Sequence, residues 1–304
     1  MPGAPSAHFW ARFRSHRLAL ASAWVLAAML TVCMATVGVS SARMRQQDLS
    51  SALRPPSTTH PLGTDEVGRS VLWRTLYGGA ISLSLGLLAA AIAVTIGSVY
   101  GAISGYVGGR ADAVMMRAVD VLFALPSVLL VMLFTLTVGG WLEQHTHIGL
   151  EWARAIVLAL AIGGTSWLTL ARVVRGQVLS LRERPFILAA RALGLSTTRI
   201  VVRHLVPNLG GTIAVFGTLT VPTAILQESF LSFLGIGVQP PQATWGSLAA
   251  DGVRSLNPVR MSWWLVTFPC LALSVSLLAL NFVGEGLRDA LDVRSAESTP
   301  RRQV

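Results

Sequence analysis

ISLSLGLLAAAIAVTIGSVYGAISGY, residues 81–106, runs for 26 positions without a charged side chain. As a helix it would reach about 39 Å, more than the roughly 30 Å hydrocarbon core of a bilayer. Glycine is plentiful in it, which suits close approach of helices in lipid. Five further apolar runs are long enough to span, at roughly 18–40, 117–140, 153–173, 211–236 and 262–284. The whole chain of 304 residues is 53% hydrophobic and only 12% charged, with a mean hydropathy of +0.61. A soluble domain carries about twice that charge density. The fold class is therefore an all-α polytopic membrane protein with six transmembrane helices.

The net charge of +10 comes from 24 arginines, no lysine and 14 acids. In a soluble protein this would point to nucleic acid; here arginines near helix ends point to sidedness, with no nucleic-acid partner. With the N-terminus inside, segments 1–17, 106–117, 172–210 and 285–304 hold sixteen arginines and the outside segments eight. That bias favours both termini in the cytoplasm, although the first external loop alone carries five. The lack of lysine rules out a Walker-A phosphate loop, which ends in Gly-Lys-Ser/Thr, so any ATP that drives this protein binds another chain.

Arg12, Arg14 and Arg17 precede the first apolar run as in a signal peptide. The run is longer than the 7–15 residues of a signal h-region and reads as an uncleaved anchor. Cys33 and Cys270 lie in apolar runs and read as small core hydrophobes rather than a disulfide.

The longest cytoplasmic loop contains ILAARALGLSTTRIVVRHLVPN, residues 187–208. Residues 186–194 predict a short helix with Ala189, Ala190 and Leu193 towards one side and Arg184 and Arg191 elsewhere. Gly194 can supply the left-handed turn that ends it, and a helical pattern resumes up to Pro207. One reading is a helix parallel to the membrane offering a small-residue face to a protein beneath. The other is an interfacial helix resting on headgroups.

AARALG, nine residues and then HLVPN resemble the signature loop of bacterial ATP-binding-cassette importer permeases. Ala189, Ala190, Gly194 and Pro207 match that pattern; Leu188, His204 and Val206 depart from it. Four further stretches resemble the dipeptide/oligopeptide branch: HPLGTDEVGRSVLWRTLYGGAISL (60–83), MRAVDVLFALPSVLL (116–130), ESFLSFLGIGVQPPQATWGSL (228–248) and NFVGEGLRDALDVR (281–294). The first 55 residues carry no such signature.

The resemblance implies a type I (MetI-like) importer permease bundle. Residues 1–55 would form a tail, the first span and the start of an external loop; residues 56–304 would form the permease domain, with a coupling loop at 174–210. It also implies a second homologous permease subunit, two cytoplasmic ABC ATPase subunits and an external solute-binding protein, in the bacterial cytoplasmic (inner) membrane. Transport would proceed by alternating access. ATP and Mg would be held by the partner subunits and no cofactor by this chain, which would not itself be an enzyme. Ala189, Ala190, Arg191, Gly194, Arg203 and Pro207 would form the ATPase-coupling surface, and Gly63, Thr64, Asp65, Gly68 and Arg69 an external motif. The cargo would be peptides or similar small solutes; relatives that import nickel chelates, glutathione-like compounds or opines are the alternative.

Acids within apolar runs are costly unless paired or hydrated. Asp120, near a cytoplasmic span end, is expected to bond locally with Arg117 or a loop amide. Glu228, towards the outer rim of span five, reads as structural or as a gate, and Pro222 can kink that span to widen a cavity. Arg69 can pair with Asp65 to hold the external loop. His145 and His147 lack helical chelating spacing and suit a solvated loop, so no metal site is expected. Trp263 and Trp264 read as interfacial belt residues. An intramembrane enzyme is disfavoured because none of the six histidines lies in a predicted span. An ion-coupled secondary transporter is disfavoured because the midplane has almost no charge and no internal repeat is visible.

Overall fold

The structure, a computed structural model, describes residues 12–145, 150–256 and 261–291. Within them the elements are helices: α1 (Arg17–Arg43), α2 (Val71–Val107), α3 (Gly109–Ala124), α4 (Ser127–His145), α5 (Leu150–Leu181), α6 (Pro185–Ala192), α7 (Thr197–Ile200), α8 (Gly210–Phe233), α9 (Trp245–Arg254) and α10 (Trp264–Leu291). A π-helical turn at Val201–Leu205 and a helical turn at Val206–Asn208 join α7 to α8. Five helices are individually long and apolar enough to cross a membrane, and α3 with α4 makes a sixth span if the bent pair is counted as one.

The pair α2 and α5 forms the centre. Gly97, Gly101 and Gly105 fall four apart on α2, and a Cβ at any of them would meet the carbonyl oxygens of Trp167, Ala171 and Arg175 on α5. Two backbones pack this closely only where side chains are missing. Around this pair, Tyr77, Ile81, Leu85, Leu158, Ile162 and Leu231 form one core cluster, and Tyr106, Val174, Val178, Ile187, Leu205 and Leu209 a second nearer the loop helices. Leu83, Val221, Ile225, Trp245 and Leu280 make a third, where α8, α9 and α10 meet α2. Helix α1 leaves Leu18, Trp24, Val32 and Val39 exposed, as expected of a side that lipid covers.

The third predicted span, 117–140, is not one straight helix. α3 and α4 meet at 88°. Pro126 has no N–H to give the helix and disfavours the helical conformation in the residue before it. Leu125 is accordingly extended, with φ −83° and ψ 139°. The second span starts earlier than the composition predicts, at Val71, and runs for 37 residues. α5 likewise continues past residue 173 to Leu181 and carries Arg172 and Arg175 with it. Pro222 does not break α8, which passes through it with the proline buried.

The segment before α2, expected to lie outside, is folded rather than loose. It contains a 3₁₀ turn, Leu49–Ser51, and Arg54 and Leu53 bond across it to Thr64 and Asp65. Gly68 has φ +76°, and a Cβ there would collide with the Asp48 carbonyl. Trp264 packs against protein rather than lipid: it is buried and its indole donates to the Thr64 carbonyl at 3.1 Å, while Trp263 stays half exposed. Sequence position alone cannot separate the two tryptophans, because only the folded segment above α10 supplies the partner. His145 ends α4 stacked on Trp141 with ring centroids 4.8 Å apart; Thr146 and His147 lie outside the described residues.

Candidate functional site

The loop helix α6 begins at Pro185, whose fixed φ suits a first helical position, and ends at Ala192, with Gly194 just beyond its cap. Gly194 takes φ +74° with nothing within 4 Å of a would-be Cβ, so the left-handed turn alone demands glycine. Its N–H donates to the Arg191 carbonyl at 2.9 Å, and Leu195 N–H reaches back to Ala190 at 3.2 Å. The expected small-residue face is divided. Ile187 and Ala190, three apart, are buried in the cluster with Val174, Val178 and Leu205. Ala189, one residue and therefore about 100° away from Ala190, is exposed with Leu188, Arg191, Ala192 and Leu193. Ala190 thus anchors the helix, and the outward surface is Leu188, Ala189, Ala192 and Leu193. Arg203 and Pro207 are exposed on the following turns.

Three successive residues in the last turns of α2 tie this region together. Tyr106 lies under the Arg191 guanidinium, 4.7 Å from the ring centroid, and its hydroxyl accepts a bond from Arg191 Nε at 3.2 Å. The Gly105 carbonyl accepts from Arg182 at 3.2 Å, and the Ser104 hydroxyl donates to Asp112 at 2.5 Å. Asp112 also receives a bidentate pair from Arg175, Nε and Nη2 both at 2.6 Å. Bidentate arginine–carboxylate pairs fix orientation as well as charge. Nothing local singles out Asp112, which lies in a predicted loop; only the sharp Gly108–Gly109 turn, both with positive φ, folds it back onto α5.

Asp120 does not bond to Arg117. Its partner is Arg172 on α5, at 2.8 Å, and the same guanidinium lies 4.1 Å from the Phe123 ring centroid. α3 is therefore clipped to α5 twice, through Asp112–Arg175 in its first turn and Asp120–Arg172 in its last turns, ahead of the bend at Pro126.

Beside that bend opens a cavity of about 600 Å³ between α3, α4, α5 and α8. Ser127, Thr165, Ser166, Thr169, Thr220, Thr223 and Gln227 supply its polar surface, and Phe123, Pro126 and Phe216 part of its apolar one. Thr220 lies ten residues into α8, about 15 Å along it and so near mid-membrane.

Glu228 lies near the far end of α8 and is fully buried, away from this cavity. Ser232, Ser82 and Ser229 donate to its carboxylate at 2.7, 3.3 and 3.4 Å. Ser82 in turn accepts the Trp245 N–H at 3.2 Å, so the carboxylate organises the entry of α9. Outside it, Asp65 receives Arg69 Nε at 2.7 Å and Arg74 Nη1 at 2.8 Å, and Arg74 also reaches Asp251 at 3.0 Å. This network joins the segment before α2, α2 itself and α9 beside a hollow of about 310 Å³. Gly63, Thr64 and Gly68 shape the turn that presents Asp65, with Thr64 Oγ1 bonding to the Ser51 carbonyl at 2.5 Å.

A helical bundle with several spans, a polar mid-span cavity and a clipped surface helix defines a multi-pass membrane permease. The chain belongs to the family of binding-protein-dependent transport system inner membrane components, whose profile matches residues 97–296. A second profile, the N-terminal TM domain of oligopeptide transport permease C, matches residues 5–56, the stretch whose sequence carried no signature. The dipeptide transport system permease protein DppC of Bacillus subtilis (strain 168) is 42% identical over 285 residues, 93% of this chain and 84% of that protein. The oligopeptide transport system permease protein OppC of the same organism is 40% identical over 92% of this chain and 87% of its own length. OppC of Escherichia coli (strain K12) is 42% identical over 92% of this chain and 88% of its own.

Proposed function

We propose that this chain is one of two permease subunits of an ATP-driven importer that moves peptides or similar small solutes across the cytoplasmic membrane. The observation that carries the reading is the pairing of an outward-facing loop helix with a nearby cavity. α6 exposes Leu188, Ala189 and Leu193 yet is anchored by Ile187, Ala190 and Arg191 to α2 and to α5, and α5 lines the cavity. An anchored helix with a small apolar face transmits displacement of a docked protein, whereas a headgroup-resting helix would face its apolar stripe towards lipid.

In this reading two cytoplasmic ABC ATPase subunits bind ATP and Mg, and one docks on α6. A second homologous permease covers the open side of the cavity. A solute-binding protein delivers cargo to the external face near the Asp65–Arg74–Asp251 network. Both termini are cytoplasmic. Peptide cargo is supported by the relatives named for dipeptide and oligopeptide transport. This chain supplies no nucleotide-binding lysine, consistent with hydrolysis in separate subunits.

Co-expression with the neighbouring permease, ATPase and binding-protein genes, followed by reconstitution in proteoliposomes, tests the reading. ATP-dependent peptide uptake that requires every component is expected; uptake by this chain unaccompanied would overturn it. Single cysteines at Leu193 and Pro240, both exposed, should react with impermeant maleimide only from the cytoplasm and only from outside, respectively.

A further inference from the structure

We propose that the wall of the 600 Å³ cavity contacts solute as a bank of hydrogen-bond acceptors that engages the N–H groups of an extended peptide main chain and does not discriminate side-chain charge. The proposal rests on the peptide-importer reading above and names what that site reads.

The lining contains no Asp, Glu, Lys, Arg or His. Its polarity comes from six hydroxyls and one amide, and four of the hydroxyls, Thr165, Ser166, Thr220 and Thr223, already commit their protons within their own helices. Thr165 donates to the Ala161 and Ile162 carbonyls at 3.2 and 3.0 Å, and Ser166 to Ile162 at 2.8 Å. Thr220 donates to Phe216 and Thr223 to Thr220, both at 2.7 Å. A hydroxyl has one proton and two lone pairs, so each of these oxygens faces the cavity as an acceptor. Gln227 adds an amide oxygen that is buried without any hydrogen-bond partner. Buried polar atoms are normally satisfied, which marks this oxygen as one that a solute or its water would meet.

An acceptor bank selects donors. A peptide entering the cavity loses water from its main-chain N–H groups, and each must find a new acceptor. On one edge of an extended chain those groups recur about every 6.7 Å. Along α8, Thr220, Thr223 and Gln227 follow at i, i+3 and i+7, steps of about 4.5 and 6 Å on one face. The spacing is close enough for successive N–H groups to be handed from one acceptor to the next. Without a charge in its lining, this wall traps no side chain of either sign, and Phe123, Leu130 and Phe216 give apolar side chains a surface.

The test uses the assembled transporter in proteoliposomes, with the binding protein saturating. Uptake of a neutral tripeptide is compared with that of its analogue methylated on the internal amide nitrogens. Calorimetry on the isolated binding protein sets concentrations at which both peptides fill it equally. Wild type should carry the methylated peptide about tenfold more slowly, the factor that corresponds to roughly one hydrogen bond. Lysine- and glutamate-containing tripeptides should differ by less than about twofold, since no lining charge distinguishes them. Gln227→Leu, and separately Thr220→Val with Thr223→Val, should slow the parent peptide towards the analogue's rate while leaving the analogue's own rate unchanged. Equal wild-type rates for parent and analogue would overturn the proposal, as would a Gln227→Leu chain that slows both by one factor, the mark of a structural role. Absence of any ATP-driven peptide uptake by the wild-type assembly would instead defeat the importer reading, and the acceptor bank with it.

Discussion

Arg175 on α5 grips both carboxylate oxygens of Asp112 on α3, each contact at 2.6 Å. The carboxylate is buried while the guanidinium stays one-third exposed. The pair fixes α3 against α5 one helix length before the 88° bend, so the angle at the cavity mouth depends on it.

Removing one partner of a buried pair costs more than the pair contributes, because a desolvated charge remains. Asp112→Asn should therefore lower the thermal midpoint of the detergent-solubilised chain by several degrees, on the order of 2–3 kcal/mol. Spin labels on α3 and α5 should show a broadened distance distribution. A distribution as narrow as wild type would mean that apolar packing alone holds α3.

Arg191→Ala removes a hydrogen bond and a cation–π contact to Tyr106, together about 1–2 kcal/mol. In the reconstituted assembly it should reduce solute moved per ATP hydrolysed several-fold. Tyr106→Phe keeps the ring and loses the hydroxyl, so an intermediate ratio is expected. If uptake and hydrolysis fell together, α6 would have lost docking rather than coupling.

At Gly194 the left-handed backbone has open space around it. A side chain there is penalised by conformation, about 1–2 kcal/mol for most residues, and asparagine escapes most of that penalty. Gly194→Asn should therefore retain most uptake, and Gly194→Val should lose most of it while remaining inserted. Equal loss in both would point to a steric contact with the docked partner instead.

Glu228 serves three serine hydroxyls and, through Ser82, the first N–H of α9. Glu228→Gln keeps an acceptor in place and should preserve folding and uptake to within about threefold. Glu228→Leu strands buried hydroxyls, at about 1–3 kcal/mol for each unsatisfied group, and should fall sharply in yield. Loss of uptake in a well-folded Glu228→Gln chain would assign the charge itself a role in transport.

Asp48 accepts bonds from the Ser50 and Ser51 side chains and from Ser50 N–H, and the side-chain bond from Ser50 leads in holding its carboxyl below the ordinary aspartate range. A depressed folded-state value stabilises above the unfolded value and is lost as pH falls through the folded one. Protease protection of the segment containing Leu49–Ser51 should therefore persist at neutral pH and weaken only below about pH 3.9, the ordinary aspartate value. Ser50→Ala should move that weakening to higher pH.

Much of the fold was legible because a bilayer leaves the chain few choices. A run of 26 uncharged residues must satisfy its backbone internally, so a helix follows from composition alone. The loop helix and its Gly194 turn were equally legible, since propensity and a left-handed glycine are local properties. What the linear pattern misplaced were relationships between distant segments. Local reasoning points Asp120 to Arg117 or a loop amide, because the 52-residue separation to Arg172 leaves no local trace. Ala189 and Ala190 were placed on one face, whereas burial separates them.

The sequence by itself determined the solvent of this protein, the number of its apolar runs, the absence of a nucleotide loop and the local shape of α6, since each depends on residue type within a few turns. Only the tertiary structure decided that Asp112 and Asp120 clip α3 to α5, that Glu228 belongs to the α9 entry rather than the cavity, and that hydroxyls from α5 and α8 face one another. Ion pairs and cavities arise where helices meet, and helix crossings are set by packing summed over the whole bundle, which no short stretch encodes.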